Sequence, residues 1–349
     1  AGAVWILFMA ADGGVQDTVM ITENMAGFEL LDGELQGDQF GTALANLGDV
    51  DGDGNLELAV GAPFSDNTEG DDLGTVWILD LNAEGGVESH LTLKPFKSGT
   101  PGLDEGAQFG SALTVVAIDN PSGGPVLAVG APEAGTTGAL MLLMLNPAFV
   151  THDNTLIEGT AIEDRYGSSV ADLGSFGDDG TVLAVGAEGV AVGGDYQTGN
   201  VLLVDVDPSG SLTPKSTLNT NSLSLASGGQ FGAAVAALGD LNADGVPDLA
   251  AGAPGSFDDV GIILIIFLDE NGAAESSKHL YKGEGGLPAW DGDGVAPLGW
   301  LENVGQFGSS IANIGDQGGS GDVIDLAVGA NLFGDGAVWF LHMANTCEP

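Results

Sequence analysis

Positive charge is nearly missing from this chain. Against 50 Asp and Glu residues stand 6 Lys and Arg, a formal net charge of −44 over 349 residues. A surface of that sign repels phosphate backbones, which excludes nucleic-acid binding and disfavours anionic membranes. The bland consequence of so many acids is solubility in a salty medium, where counter-ions screen self-repulsion. The sharper one is that some of them hold cations. Cysteine is reduced to Cys347 near the chain end, so no intrachain disulfide forms. That leaves either an unremarkable terminal thiol or an intermolecular link through Cys347. Long apolar runs are missing as well. The longest, 261–268 and 139–145, are too short to span a bilayer as helices. No signal peptide is visible and no Asn-x-Ser/Thr acceptor is present, and the chain begins at Ala1 without Met, which reads as a processed or partial chain.

Catalytic groups are scarce too. Four histidines and one arginine, Arg165, form no Ser-His-Asp, Cys-His or zinc spacing. The chain is therefore read as a non-enzyme.

Glycine and apolar residues are what the chain has in quantity. Hydrophobic residues make up 44% and the mean hydropathy is +0.22, enough for a core and against disorder. The 59 glycines point to many tight turns. Self-similarity organises both. An aromatic-Gly pair recurs at Phe40-Gly41, Phe109-Gly110, Tyr166-Gly167, Phe231-Gly232 and Phe307-Gly308. After each comes a Gly-Ala pair: Gly61-Ala62, Gly130-Ala131, Gly186-Ala187, Gly252-Ala253 and Gly329-Ala330. Proline follows the first, second and fourth of these, replaced by Glu188 and Asn331 in the others. A Gly-x-hydrophobic run completes the unit, as in Val4–Leu7, Val76–Leu79, Val201–Val204, Ile262–Ile265 and Val338–Leu341. Runs this short, rich in Val, Ile and Leu and bounded by Gly, Asp or Pro, read as buried strands. With a polar outer strand such as 87–93, each unit holds four strands, the size of a propeller blade. A linear β-solenoid is the alternative, and its repeats are usually much shorter. The aromatic of each pair reads as packing between blades.

Phe-Gly followed by Gly-Ala-Pro, with an acidic loop between, resembles the FG-GAP repeat family, which includes the propeller of integrin α subunits and many secreted proteins. The resemblance covers almost the whole chain. It implies a calcium-binding β-propeller acting outside the cell in adhesion or recognition, typically of seven blades. Here the expected fold is all-β: one β-propeller domain over 1–349, of four-stranded antiparallel blades. Six blade-like units are expected, near 1–30, 40–95, 109–158, 166–218, 231–282 and 307–343, with partial terminal blades and five to seven left open.

The acidic loops carry the chemistry. Residues 49–57 place Asp49, Asp51, Asp53, Asn55 and Glu57 at alternate positions, and residues 240–248 do the same with Asp240, Asn242, Asp244, Val246 and Asp248. Side-chain oxygens at positions 1, 3, 5 and 9, the carbonyl of position 7 (Asn55, Val246) and a turn glycine at 6 suit Ca2+, which takes about 6–8 oxygen ligands. An EF-hand needs Glu at position 12, where Val60 and Ala251 stand, so these are strand-loop-strand sites. A third site near Asp316–Asp325 keeps Asp316, Ser320, Asp322 and Asp325 but is one residue too long. The loops at 119–124 and 175–180 are too poor in donors to bind.

Three functions fit such a chain. The first is an extracellular or cell-surface module binding a protein partner or copies of itself, in adhesion or in an assembly such as a filament. The second is glycan binding, through Trp290 and Trp300. The third is a calcium-dependent polysaccharide hydrolase or lyase. The first is preferred, with the partner expected at the least repeat-like loops, 95–108 and 283–306.

Overall fold

Short β-branched and Leu-rich stretches stopped by glycine leave the chain little choice but strands. The computed structural model describes residues 2–10, 14–28, 37–66, 71–95, 103–159, 164–176, 180–190, 198–220, 223, 225, 228–281, 305–315, 323–331 and 336–344. Among them are 21 strands and a single four-residue helix, α1 (Ser256–Asp259). The fold is all-β, made of antiparallel β-propeller blades.

The chain divides into two compact units, each taken here by itself. Unit 1 comprises residues 1–162 with 208–212. It opens with the two-stranded sheet β1 (Val4–Met9) and β2 (Val15–Ile21). Two four-stranded sheets follow: β3 (Leu44–Gly48), β4 (Leu56–Ala62), β5 (Thr75–Leu81) and β6 (Val87–Leu93), then β7 (Ala112–Val115), β8 (Val126–Ala131), β9 (Ala139–Leu145) and β10 (Thr151–Glu158). Unit 2 comprises 163–207 with 213–349. It holds β11 (Tyr166–Gly174), β12 (Thr181–Ala187), β13 (Asn200–Val206) and β14 (Leu212–Asn219), then β15 (Ala234–Gly239), β16 (Asp248–Ala253), β17 (Ile262–Leu268) and β18 (Ala274–Leu280). A three-stranded sheet, β19 (Phe307–Gly315), β20 (Val323–Ala330) and β21 (Ala337–Ala344), completes it. Four complete blades and two partial ones at the ends match the strand count expected from the repeats.

Every complete blade runs in sequence order across the sheet, as successive hairpins dictate. Strands β8, β9, β12, β16 and β17 are buried along their whole length, in keeping with their near-continuous apolar sequences. The partial sheets differ. On β1, Trp5, Leu7 and Met9 alternate as exposed residues, and on β21 so do Val338 and Phe340. Trp77, at the matching place in a complete blade, is 5% exposed against 56% for Trp5.

The repeated glycines have a geometric cause. Gly41, Gly110 and Gly232 adopt φ of 95°, 97° and 89°, the left-handed region open mainly to glycine. Their N–H groups donate to the carbonyls of Gly61, Gly130 and Gly252 within the same blade, at 2.9–3.0 Å. Those second glycines meet the next blade. A Cβ on Gly61 would lie 1.9 Å from the carbonyl oxygen of Gly110, and one on Gly252 2.0 Å from that of Gly308. So the Gly of one motif leaves room for the backbone of the next. The aromatics of the pairs are all buried, Phe40 and Phe307 at 2% and the others at 1% or less. Phe40 stacks on Phe28 at 5.2 Å, and Phe28 meets Trp77 in an edge-on contact. Phe40, Phe109, Phe231 and Phe307 sit in cores that join neighbouring sheets, as expected.

Candidate metal centres

Loop 49–57 joins β3 to β4 and loop 240–248 joins β15 to β16, so each hangs between the first two strands of a blade. Both fold on one hydrogen-bonded frame. The position-1 carboxylate accepts from the backbone of the turn: Asp49 from the N–H groups of Gly52 (2.8 Å) and Gly54 (3.1 Å), Asp240 from those of Asp244 (3.0 Å) and Gly245 (2.8 Å). Position 3 accepts from position 5, as Asp51 from Asp53 at 3.1 Å and Asn242 from Asp244 at 3.2 Å. Position 5 accepts from position 7, as Asp53 from Asn55 at 2.8 Å and Asp244 from Val246 at 2.7 Å. Position 9 accepts from the N–H of position 2, as Glu57 from Val50 at 2.6 Å and Asp248 from Leu241 at 2.9 Å. The sixth residue is left-handed in both, Gly54 at φ 95° and Gly245 at 93°. Position 4 is left-handed too, which the sequence reading missed: Gly52 has φ 82° and Ala243 has φ 61°.

The electrostatics are unfavourable without a cation. Position 9 is buried, Glu57 at 2% and Asp248 at 0% exposure. Burial, with Asp51, Asp80 and Asp49 nearby, pushes the Glu57 carboxyl above its ordinary value. Burial and the charges of Asp244 and Asp240 push Asp248 up to about 6. Glu57 Oε1 is buried with no hydrogen-bond partner. The donor set is all oxygen, and the ligand oxygens of Asp49, Asp51 and Glu57 lie within 4.8 Å of one another. These features fit a hard divalent cation. The second loop shows no such grouping of three among the described residues. There Asn242 and Val246 stand where the first loop has Asp51 and Asn55, and the Asn242 amide donates to Asp244 at 2.7 Å.

The remaining loops differ. Ladder pairing in β7–β8 makes residues 118–126 the counterpart of 49–57, with Leu113 paired to Val129 as Leu44 is to Val60. Apolar Ile118 and Val126 then stand at positions 1 and 9. Asn120 at position 3 donates its amide to the carbonyls of Leu145 (2.7 Å), Gly124 (2.9 Å) and, at greater length, Pro125 (3.4 Å). An amide group holds together oxygens that a cation would otherwise gather. Of the third candidate, Asp316, Ser320 and Asp322 lie outside the described residues. Asp325 is buried, takes the place of position 9, and meets His342 Nδ1 at 2.6 Å. Cys347, Trp290 and Trp300 also lie outside the described residues, as does most of 283–306.

The FG-GAP repeat model matches residues 40–79 and 231–266, the two blades that carry these loops. The chain contains FG-GAP repeats. It is 30% identical over 215 residues to integrin alpha-PS2 of Drosophila melanogaster, covering 57% of this chain and 14% of that protein. Human integrin alpha-7 is 32% identical over 157 residues, 44% of this chain and 13% of that one. Chicken (Gallus gallus) integrin alpha-8 is 28% identical over 220 residues, 60% of this chain and 19% of that one. The chain thus spans under a fifth of the length of these integrin relatives. Among solved structures, that of BBS1N in complex with ARL6DN, soaked with lead, gives a TM-score of 0.39 at 16% identity, over 83% of this chain and 77% of that one. That likeness bears on neither fold nor function. No described helix is long and apolar enough to cross a membrane.

Proposed function

We infer that this chain is a calcium-binding FG-GAP propeller module of an extracellular or cell-surface protein, and that it binds protein partners, or copies of itself, rather than catalysing a reaction. One observation carries the reading: two loops in matched places share a single hydrogen-bond frame around a buried carboxylate at position 9. The first cation is held by Asp49, Asp51, Asp53, the carbonyl of Asn55 and Glu57, and another by Asp240, Asn242, Asp244, the carbonyl of Val246 and Asp248. Calcium supplies charge neutralisation and nothing reactive. It ties the turn between the first two strands of a blade, which fixes the loop for contact with a partner. The integrin relatives support the adhesion reading, and the acidic surface favours a partner bearing basic residues.

A thermal melt with calcium and with chelator tests the metal, on wild type and on the double variant Asp51→Ala, Asp244→Ala. Chelation is expected to lower the wild-type midpoint strongly and the variant's little. A wild-type midpoint indifferent to calcium would remove the metal from the proposal. Sedimentation with and without calcium tests self-binding, and a purely monomeric chain in both leaves a separate protein as partner.

A further inference from the structure

The third strand of the second sheet contributes a carboxylate to the first loop that the nine-residue pattern does not contain. Asp80 on β5 is the direct ladder partner of Glu57 on β4. Its Oδ2 accepts from the Ser89 hydroxyl at 3.2 Å, while its Oδ1 is buried with no hydrogen-bond partner. Glu57 is in the same state: Oε2 accepts from Val50, and Oε1 is buried and unpartnered. Ligand oxygens of Asp53, Glu57 and Asp80 lie within 4.8 Å of one another, a grouping separate from Asp49, Asp51 and Glu57 and sharing only Glu57 with it.

We propose that this loop binds two divalent cations, the second between Asp53, Glu57 and Asp80, with Asp53 and Glu57 bridging both. The proposal rests on the calcium reading of loop 49–57 and goes beyond it. Charge balance supports it. The two groupings hold five carboxylates, so one divalent cation leaves three negative charges and two leave one. The loop at 240–248 has three, Asp240, Asp244 and Asp248, and a single cation leaves one there also. Its ladder pairs Leu249 with Ile266, so the next residue, buried Phe267, stands across from Asp248 where Asp80 stands across from Glu57. The partial sheet of unit 2 shows that a side chain at this cross-strand place reaches position 9. There Asp325 pairs with His342, and the two side chains meet at 2.6 Å. Where the last sheet sets an imidazole against the buried carboxylate, the second sheet sets another carboxylate, each of the two has a buried oxygen without a partner, and a cation between them would satisfy both. A carboxylate bridging two divalent ions holds them about 3.5–4 Å apart.

The test is the number of calcium ions bound by the full chain at saturation, measured by equilibrium dialysis. Asp80→Asn, which keeps the shape and the Ser89 contact, is expected to bind one ion fewer than wild type. Asp244→Ala, in the other loop, is expected to remove one further ion in either background, which shows that the Asp80 variant is folded. If Asp51→Ala lowers the count and Asp80→Asn leaves it unchanged, the loop binds one ion and the second site is overturned, even if affinity falls. If neither lowers it, the calcium reading of the loop fails first and this proposal with it. Should Asp80→Asn not fold, wild type loaded with mixed terbium and europium answers the question. Efficient energy transfer that survives Asp244→Ala supports a close pair, and its absence overturns one.

Discussion

Loops 49–57 and 118–126 occupy the same place in adjacent blades, have the same length and turn on a left-handed glycine at position 6, Gly54 and Gly123. They reach that shape by opposite means. The first surrounds its centre with carboxylates, one of them buried and unsatisfied. The second replaces the outer acids with Ile118 and Val126 and lets the Asn120 amide bond the carbonyls of Gly124 and Leu145. On the proposed calcium reading, both corners set a positive group among converging oxygens, a metal ion in the first and an amide N–H in the second, and only the first depends on calcium.

The largest effect should come from taking that dependence away. On the proposed reading, chelation strips the cation from loops 49–57 and 240–248 and leaves loop 118–126 untouched. With free calcium at a hundredfold its Kd, each site contributes about 2.7 kcal/mol. Denaturant unfolding with and without chelator should show about 5 kcal/mol for one ion in each loop, and about 8 kcal/mol with the second ion in loop 49–57. A difference near zero would mean that the acid loops close as well without metal as the amide loop does.

Proton binding provides the next test, because a proton can do part of the cation's work. The Asp248 carboxyl rises from an ordinary 3.8 to about 6 in the folded, calcium-free chain. The folded state therefore holds its proton more tightly than the unfolded state. The resulting stability is fully present below about pH 4 and is lost as pH rises through about 6. Glu57 shifts in the same direction. The calcium-induced rise in midpoint should grow from pH 4 to pH 7, and Asp248→Asn should flatten that growth. A calcium effect independent of pH would show that these acids do not meet the metal.

On the amide side, Asn120→Ala leaves carbonyls of Gly124 and Leu145 without their donor. It should cost about 1–3 kcal/mol, equally in calcium and in chelator. Asn120→Asp is the sharper variant. It should destabilise without calcium and gain nothing from it, since Ile118 and Val126 supply no further ligands.

Periodicity made most of the fold legible. Blade order and the two partial sheets followed from the five aromatic-Gly pairs and the short hydrophobic runs of each unit, because each strand's burial is written in its own residues. The alternate oxygen donors of the acidic loops were legible for the same reason, being residues of one short segment. What was not legible depends on pairing between segments. Asp80 is an ordinary strand residue until the β4–β5 register places it across from Glu57. Asn120 looked like the remnant of an acid loop, and only its contact with Leu145, 25 residues on, gives it a role. The left-handed Gln39, Gln108 and Gln230 before the Phe-Gly pairs carry no local signature either, since glutamine has no preference for φ near 55°. Closing of the blade imposes that conformation on them.

The smallest prediction compares the two acid loops with each other. Position 4 is Gly52 in one and Ala243 in the other, and both are left-handed. Alanine is strained by about 1–2 kcal/mol there, while glycine loses more backbone entropy on folding. The net for Ala243→Gly should be a gain of about 0.5–1 kcal/mol. The converse change, Gly52→Ala, should cost a similar amount, since nothing lies within 4 Å of the added Cβ and only the backbone resists it. Both shifts should persist in chelator, because they act on the turn and not on the ligands. If Ala243→Gly instead stabilises only when calcium is present, the left-handed turn at position 4 forms on metal binding, and the frame shared by the two loops is made by the cation rather than awaiting it.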